Sequence, residues 1–385
     1  MIKVAAVEKP RIMLVGMGNL SSNLLSLLLL DPATDRIVLA GRDIEKCRRR
    51  ANLARFTAYN LDAVAVPEVV QIDLHDVDRT SETLAVVKPD IIFMGASLQS
   101  WRRITELPSE AFEALDEAQF GPWLPMHLTL NYLLMQAVRR SGISCKVVNA
   151  AFPDAVGPVL AKVGLAPTIG IGNVANIVPA LVYAAASLLE VDPSRVEVRL
   201  VAQHYFSHYV PRFGTPGRSR YHLSVRVDGE SLHTQVDDAA IFAQLNGHLK
   251  RLGGIDGQVL TASSAARIIK GLVSEAPIRA HAPAPDGLPG GYPIRLSRSA
   301  IALDLADGMD CQEAIQINEA CQQADGIEAI DADGTVTFAE AEMEIMHKLI
   351  GYRCRTMKLS QSANWADELG KKYAKFAEAL GPLSA

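Results

Sequence analysis

The sequence predicts an α/β protein, with a doubly wound parallel sheet followed by a mixed α+β unit that contains antiparallel strands. Up to residue 152, short apolar runs alternate with stretches of helical length, as in βαβ crossovers that cover both faces of a parallel sheet. Beyond it, segments of alternating polarity are joined by Asp-Gly pairs, which favour hairpin turns. We therefore expect two domains, residues 1–152 and residues 153–385.

The predicted elements follow in chain order. Strands of the parallel sheet are expected at residues 11–15, 36–40, 69–74, 90–96 and 145–152, and a long helix at 126–140 precedes the last of them. In the second domain an apolar helix at 180–190 leads into the alternating strand RVEVRLVAQ at 195–203. Asp-Gly pairs at 228–229 and 333–334 predict two hairpins.

Composition excludes several classes of protein. The 385 residues carry a net charge of −5 and have no basic block longer than RRR at 48–50, which argues against a nucleic-acid surface. The five cysteines have no metal or redox spacing, so free thiols in a reducing compartment are expected. No apolar run is long enough to cross a bilayer. The segment DADGTVTFAEAE lacks the glycine position of a calcium loop, so no metal site is expected. We predict a cytoplasmic protein without a membrane partner.

A glycine-rich turn follows the first predicted strand. The residues Gly16, Gly18, Asn19 and Leu20 lie in GMGNLS, a G-x-G-x-x-G pattern that ends in Ser21. In such turns the first glycine permits the sharp bend, and the second lets the backbone approach a pyrophosphate at a helix N-terminus. Because this turn opens a βαβ series, it predicts that the first domain, a Rossmann-type unit, binds a dinucleotide.

The end of the second strand bears on the type of dinucleotide. It reads Gly41-Arg42-Asp43, with an arginine where NAD-binding sites usually carry an acidic residue. This pattern favours NADP, with NAD as the alternative, although Asp43 could simply cap the next helix. We expect Gly95 and Ala96, which end the fourth strand, and Asn149, toward the carboxyl end of the fifth, to bind the dinucleotide at the same edge of the sheet.

The stretch QHYFSHYVPRF at 203–213, together with NAAFPD at 149–154, resembles the lactate/malate dehydrogenase superfamily, and VLAGRDIEKC resembles the nucleotide domain of saccharopine dehydrogenase. The resemblance implies hydride transfer between NAD(P) and a small carbonyl or hydroxy compound, with His204 as acid/base and His208 lining the same pocket. It implies that Asn149 contacts nicotinamide and substrate. It also implies a homodimer or homotetramer.

The sequence departs from that family at two positions. The carboxylate that orients the histidine matches Asn176, and the arginine that clamps a substrate carboxylate matches Pro179. Arg102 and Arg103, in the loop after the fourth strand, could supply an arginine from another direction. The segment TASSAARIIKGLVSE resembles the helix that lines the substrate pocket, which places Ser263 there.

Other interpretations stay open at this point. An imine or opine-type reductase would use the same dinucleotide, while the loss of two family positions is compatible with a non-catalytic dinucleotide sensor or scaffold. A dinucleotide-retaining epimerase or lyase is a further class. His204 and His208 could also pack among Tyr205, Phe206 and Tyr209 at a subunit contact.

Overall fold

A computed structural model describes residues 9–231 and 236–381. Its first unit is a parallel sheet whose strands are β1 Ile12–Val15, β2 Ile37–Gly41, β3 Glu68–Gln71, β4 Ile91–Met94, β5 Lys146–Asn149 and β6 Ile169–Gly170. The spatial order is β3-β2-β1-β4-β5-β6, and every neighbouring pair is parallel. The order in which strands are added to the sheet reverses between β1 and β4, the point at which open α/β sheets bind ligands.

Helices cover both faces of this sheet: α1 Asn19–Leu29, α2 Ile44–Tyr59, α3 Val77–Val87, α4 Ser109–Asp116, α5 Leu124–Ser141 and α6 Pro153–Ala161. Alternate residues of β1 enter two different cores. Met13 and Val15 pack with Leu84 of α3 and Leu134 of α5, whereas Ile12 and its neighbours pack with α1 and α2. The strand is apolar throughout because neither face meets water.

The second unit combines helices with two antiparallel sheets. Its elements are α7 Val174–Leu189, β7 Val196–Val201, α8 His204–Phe213, β8 His222–Val227, β9 Glu230–Ser231, α9 Asp238–Asn246, α10 Gln258–Val273, β10 Ile278–Pro283, β11 Gly291–Leu296, β12 Ile301–Leu303 and α11 Cys311–Ala324. One sheet has the order β7-β8-β9 and the other β10-β11-β12. An isolated bridge between Ala202 and Gly291 links them just before α8 begins.

The last elements return to the first unit. They are β13 Ile327–Ile330, β14 Val336–Phe338, α12 Glu340–Ile350, β15 Thr356–Met357 and α13 Ser362–Ala379. The buried side chains of Ile327, Phe338 and Leu369 belong to the same core cluster as Trp123 and Leu128 at the start of α5. The C-terminal segment therefore packs against the side of the parallel sheet that α5 covers.

The predicted fold class is confirmed, and so are the two hairpins. Asp228-Gly229 joins β8 to β9, with φ values of 53° and 87° as such turns require, and Asp333-Gly334 lies between β13 and β14. One detail differs from expectation, because the sheet gains a sixth strand, β6, from beyond residue 152. His204 lies just past the end of β7, as expected, and begins the helix α8. The domain boundary at residue 152 stays a prediction.

Candidate functional site

The turn after β1 is built so that only glycine fits at its first position. Gly16 has φ +87°, and a Cβ placed on it would lie 2.8 Å from the Cβ of Ala96. Its amide donates to the carbonyl of Ala40 at 2.9 Å. A Cβ on Gly95 would likewise lie 2.5 Å from Ser21 Oγ. The loops after β1 and β4 thus pack against each other, which explains these glycines and the small residues beside them.

Gly18 is in a different environment. It is the exposed N-cap of α1, and a Cβ built on it would meet no atom within 4 Å. No side chain caps this helix, and the amides of Asn19 and Leu20 belong to the first turn, which has no intrahelical acceptors. The backbone here is open to a phosphate group and has unused donors. These observations fit the predicted dinucleotide.

Of the two residues that follow β2, Asp43 has a structural role and the side chain of Arg42 is free to bind a ligand. Asp43 caps α2, since its carboxylate accepts from the amide of Lys46 at 2.9 Å. The backbone carbonyl of Arg42 accepts from Gln71 Nε2 at 3.0 Å. The exposed guanidinium of Arg42 makes no hydrogen bond or ion pair within the described chain. Arg42 is therefore available to a ligand at the end of β2, whereas Asp43 is used by the helix.

Asn149 stabilises a turn. Its buried side chain accepts from the amide of Ala151 at 2.8 Å and donates to the carbonyl of the same residue at 3.1 Å. Both ends of the amide are thus used within the loop that leads to Phe152. The expected contact of Asn149 with a ligand stays a prediction, but its local role is the one that the geometry supports.

His204 is the first residue of α8, and its imidazole is held by a carboxylate. Nδ1 lies 3.0 Å and 3.2 Å from the two oxygens of Asp325. Gln203 caps the helix by accepting from the amide of Tyr205, and its Nε2 donates to the same carboxylate at 3.3 Å. Within the described residues Nε2 of His204 has no hydrogen-bond partner. The ring is thus oriented through one nitrogen and free at the other.

The charges around His204 favour its protonated form. Burial lowers the pKa of His204, but the nearby carboxylate of Asp325 raises it, with smaller contributions from Asp154 and Asp116, and the net shift is upward. A carboxylate beside an imidazole stabilises the imidazolium and fixes the tautomer. The raised pKa of His204 favours a proton on Nε2, which the ring can release to an acceptor.

Aromatic rings enclose this imidazole. Phe120 lies 4.6 Å from it, Phe152 lies 5.6 Å from it, and His208 stacks on it at 5.7 Å with an angle of 13°. Phe152 lies just beyond the carboxyl end of β5, next to the N-terminus of α6. His204 is therefore at the carboxyl edge of the sheet in a largely apolar environment, with its side chain 15% exposed.

His208 belongs to a separate ionic group on the same helix. Its Nε2 accepts from Arg212 at 3.0 Å and lies 3.6 Å from Asp116, which is also ion-paired with Arg212. Burial lowers the pKa of His208, and the opposing effect of Asp116 does not restore it. His208 is thus a neutral imidazole that stacks on His204, and its place in a substrate pocket stays a prediction.

Two buried titratable residues lie near His204 without full hydrogen bonding. Asp154 is 0% exposed, and burial raises its pKa to about 6. Its Oδ2 accepts from Asn173, and Oδ1 has no partner in the described chain. His127 on α5 is 5% exposed, with both ring nitrogens unpartnered and a pKa that burial lowers to about 3. Asp154 and His127 are buried polar groups that the sequence analysis did not single out as site residues.

The histidine-orienting role expected at Asn176 is corrected by the structure. Asn176 Nδ2 donates to Thr261 Oγ1 at 2.9 Å, and the group that binds His204 is Asp325. Asp325 lies 121 residues after His204 in the sequence, between α11 and β13. Pattern matching to the family could not find it, because the carboxylate comes from a different element than the one that carries Asn176.

The arginines predicted to bind substrate are paired elsewhere. Arg102 lies 2.9 Å from Glu106, and the exposed Arg103 lies 3.9 Å from the same residue. Both follow Trp101, whose ring packs edge-on against His208 at 5.2 Å, so the loop itself does reach the cluster. The guanidinium groups stay bound within their own helical turn.

Ser263 is not part of the His204 cluster. It is exposed on α10, where its hydroxyl donates to the backbone carbonyl of Leu260. It lines a cavity of about 390 Å³ between α7, α10 and β10, together with Pro179, Tyr183 and Arg267. That cavity contains none of the residues that surround His204. The expected place of Ser263 beside the histidine is not the one that the structure gives.

Within residues 9–231 and 236–381, no group of three or more His, Cys, Asp or Glu side chains is placed to hold a metal ion. No helix in that part of the chain has the length and apolar character needed to span a bilayer.

No protein-family model and no curated protein matches the chain. Solved structures do match the chain. The lactate dehydrogenase of Eimeria maxima with NADH and oxamate is 13% identical, covers 82% of this chain and 94% of its own, and has a TM-score of 0.56. The malate dehydrogenase of Cryptosporidium parvum is 13% identical, and the match covers 83% of this chain and 98% of that one with a TM-score of 0.55. The lactate dehydrogenase of the same organism is 15% identical, and the match covers 82% of this chain and 96% of that one with a TM-score of 0.53. The chain thus has the fold of lactate and malate dehydrogenases.

Proposed function

We propose that this protein is an NAD(P)-dependent oxidoreductase that transfers a hydride to or from a small carbonyl or hydroxy compound, with His204 as acid/base. The observation that carries the proposal is an imidazole bound to Asp325 through Nδ1 and free at Nε2. It lies at the carboxyl edge of a parallel sheet, where such folds bind their ligands.

The dinucleotide would occupy the turn after β1. Gly16 permits the close approach of the two loops, and Gly18 leaves space and unused amides for the pyrophosphate. The structural neighbour from Eimeria maxima was solved with NADH and oxamate, which supports a nicotinamide dinucleotide here. Bound there, it would supply or accept the hydride.

The chain's own contribution is the proton. In the reductive direction Nε2–H of His204 donates to the carbonyl oxygen as negative charge develops on it. Asp325 keeps the ring in the required tautomer, as carboxylates do for catalytic histidines. The rings of Phe120 and Phe152 exclude water, which strengthens these electrostatic interactions.

Selectivity for NADP over NAD is proposed on the basis of Arg42, whose free guanidinium lies just after β2, where a 2′-phosphate is read. The saccharopine-like character of this loop stays a prediction. The expected result is a larger thermal stabilisation by NADPH than by NADH, which Arg42→Ala abolishes. Equal stabilisation of the wild type by both would remove Arg42 from dinucleotide selection.

The function is tested by His204→Gln. We expect dinucleotide affinity to stay within about twofold while turnover falls by on the order of a hundredfold or more, the range that a general acid contributes. His75→Gln is the matched control, since His75 is an exposed histidine of the first unit. Unchanged turnover in His204→Gln would contradict the assignment.

A non-catalytic dinucleotide sensor is the second candidate. It is favoured by Phe120, whose ring packs against the imidazole at 4.6 Å, and by Pro179, which replaces the expected arginine. Tight NADPH binding without oxidation by any carbonyl or imine would support the sensor. A small-molecule substrate and a homo-oligomer remain part of the first proposal.

A further inference from the structure

The arginines that flank the His204 cluster already have carboxylate partners. Arg212 is ion-paired with Asp116, and Arg102 lies 2.9 Å from Glu106. The position that matches a substrate-clamping arginine is Pro179, which is exposed on α7. Burying a substrate carboxylate requires an unpaired cation to offset the loss of its hydration. Within the described chain this cluster offers no such cation.

Asp154 adds a negative group that has no cation of its own. Its Oδ2 accepts from the amide of Asn173, and Oδ1 is buried without a partner in the described residues. Burial raises the pKa of Asp154 to about 6, and the nearby charge of His204 opposes that rise. At neutral pH the carboxylate is therefore ionised to a substantial extent and lacks a direct counter-ion.

His127 supplies a second set of unused polar atoms. Neither of its ring nitrogens has a partner in the described chain, although the residue is 5% exposed. Its ring lies 5.0 Å from Phe120, the same ring against which His204 packs. A pKa lowered by burial to about 3 keeps it neutral, so it offers one donor and one acceptor. Buried polar groups without partners are unusual, and a polar ligand accounts for both.

We infer that the substrate of this site carries an amino group, and no carboxylate, beside its reacting carbonyl, and that Asp154 binds this amino group. The inference rests on the proposed function. An ammonium group would donate to the free oxygen of Asp154 and provide its missing counter-ion. The neutral imidazole of His127 accepts or donates the remaining hydrogen bond. A substrate carboxylate would face Asp154 and Asp325 and would be repelled.

The test compares three small ketones that differ in charge: aminoacetone, 2-butanone and pyruvate. Each is titrated into the full-length protein saturated with NADPH, or with NADH if that binds more tightly, and binding is followed by the fluorescence of the bound dinucleotide. We expect aminoacetone to bind at least about tenfold more tightly than pyruvate, with 2-butanone between them, because a charge-assisted hydrogen bond is worth about a factor of ten or more.

The variant Asp154→Asn should remove most of the preference for aminoacetone over 2-butanone and should leave the affinity for the dinucleotide unchanged. Asp304→Asn is the matched control, because its carboxylate lines the separate cavity near Ser263. The wild-type comparison needs no variant, so a folding defect in Asp154→Asn does not remove the test.

Two outcomes overturn the inference. One is pyruvate binding as tightly as aminoacetone, and the other is binding of none of the three ketones by a protein that holds NADPH. Either result leaves dinucleotide binding intact and so differs from failure of the proposed function. That failure would appear as no binding of NADPH or NADH at all, or as turnover that survives the loss of His204.

Discussion

At the scale of single residues, the proposed chemistry depends on the His204–Asp325 pair. The carboxylate side chain is 2% exposed and makes contacts with both His204 and Gln203. Such a buried carboxylate is retained in a fold when its oxygens are hydrogen-bonded and a positive group lies beside it. The imidazolium of His204 provides that positive group.

Asp325→Asn tests this coupling. Without the carboxylate, burial dominates, and we expect the pKa of His204 to fall. In the reductive direction the high-pH limb of kcat/KM should move down with it, since the acid form is then lost at lower pH. NMR titration of the imidazole gives the same pKa independently. Asp116→Asn, which removes a weaker influence, should have a smaller effect, and an unshifted pKa in Asp325→Asn would refute the coupling.

Asp154 makes a prediction about stability. Its pKa is about 6 in the folded protein against 3.8 ordinarily, so the folded state binds the proton more tightly. The free energy of unfolding therefore falls as pH rises through this window, and the loss is complete above it. The shift corresponds to about 3 kcal/mol.

In the Asp154→Asn variant, the free energy of unfolding should not fall in this way as pH rises. Compared with the wild type, the variant gains stability from about pH 4 to about pH 7, as measured by urea denaturation at each pH. The groups that face Asp154 are Asn173, His204 and Asp325, so the same comparison in a His204→Gln background identifies the histidine's share. A difference between variant and wild type that does not change with pH would contradict the assigned burial.

At the scale of elements, the turn between β1 and α1 contains one glycine with a structural role, Gly16, and one with a proposed binding role, Gly18. Gly16→Ala forces a Cβ into Ala96 at positive φ, so it should lower the melting temperature markedly. Gly18→Val places a side chain in open space at the helix N-terminus, so stability should change little while NADPH affinity drops at least about tenfold. Differential scanning fluorimetry with and without dinucleotide measures both effects. Unchanged affinity in Gly18→Val would exclude the pyrophosphate from this turn.

The loop after β4 is fixed by the last helix. Tyr373 of α13 donates through its hydroxyl to the carbonyl of Arg103 at 2.9 Å, and its ring packs edge-on against Trp123. Tyr373→Phe keeps the ring contact and loses the hydrogen bond, for which we expect a loss of about 1 kcal/mol of stability. Faster amide hydrogen exchange in residues 101–108 should accompany it. Exchange that is unaltered there would mean that this bond does not restrain the loop.

Local patterns predicted the elements well and their long-range partners poorly. The apolar runs identified five of the six parallel strands, and the two-residue strand β6 was too short to give a pattern. The Asp-Gly pairs located both hairpins, because their turn geometry depends on adjacent residues alone. Nothing local marks Asp325 or His127 as neighbours of His204, since those contacts join distant elements.

At the scale of the whole molecule, the C-terminal segment completes the site. Asp325 precedes β13, and its backbone carbonyl accepts from the amide of Gly121 at 2.7 Å, next to Phe120. A Cβ on Gly121 would lie 2.6 Å from that carbonyl, so the two chains are in close backbone contact. The histidine, its carboxylate and the covering phenylalanine are therefore coupled through one junction between the two units.

The predicted homodimer or homotetramer requires a subunit contact, and exposed apolar side chains are present to form one. On α2 and just after it, large apolar side chains are exposed by more than half, namely Leu53, Phe56, Tyr59 and Leu61. Large apolar side chains exposed together on one element are typical of a protein contact. We predict that Phe56→Glu converts the oligomer to monomers in analytical ultracentrifugation. A wild-type protein that sediments as a monomer would contradict the prediction.

The proposed function requires that the turn at Gly16–Gly18 place a nicotinamide ring against the free nitrogen of His204. A crystal structure of the protein with NADPH is the decisive experiment. We expect pyrophosphate density over the N-terminus of α1 and the nicotinamide ring facing Nε2 of His204, with Asp325 still bound to Nδ1. A dinucleotide bound elsewhere, or one whose nicotinamide is kept away from His204 by Phe120, would contradict it.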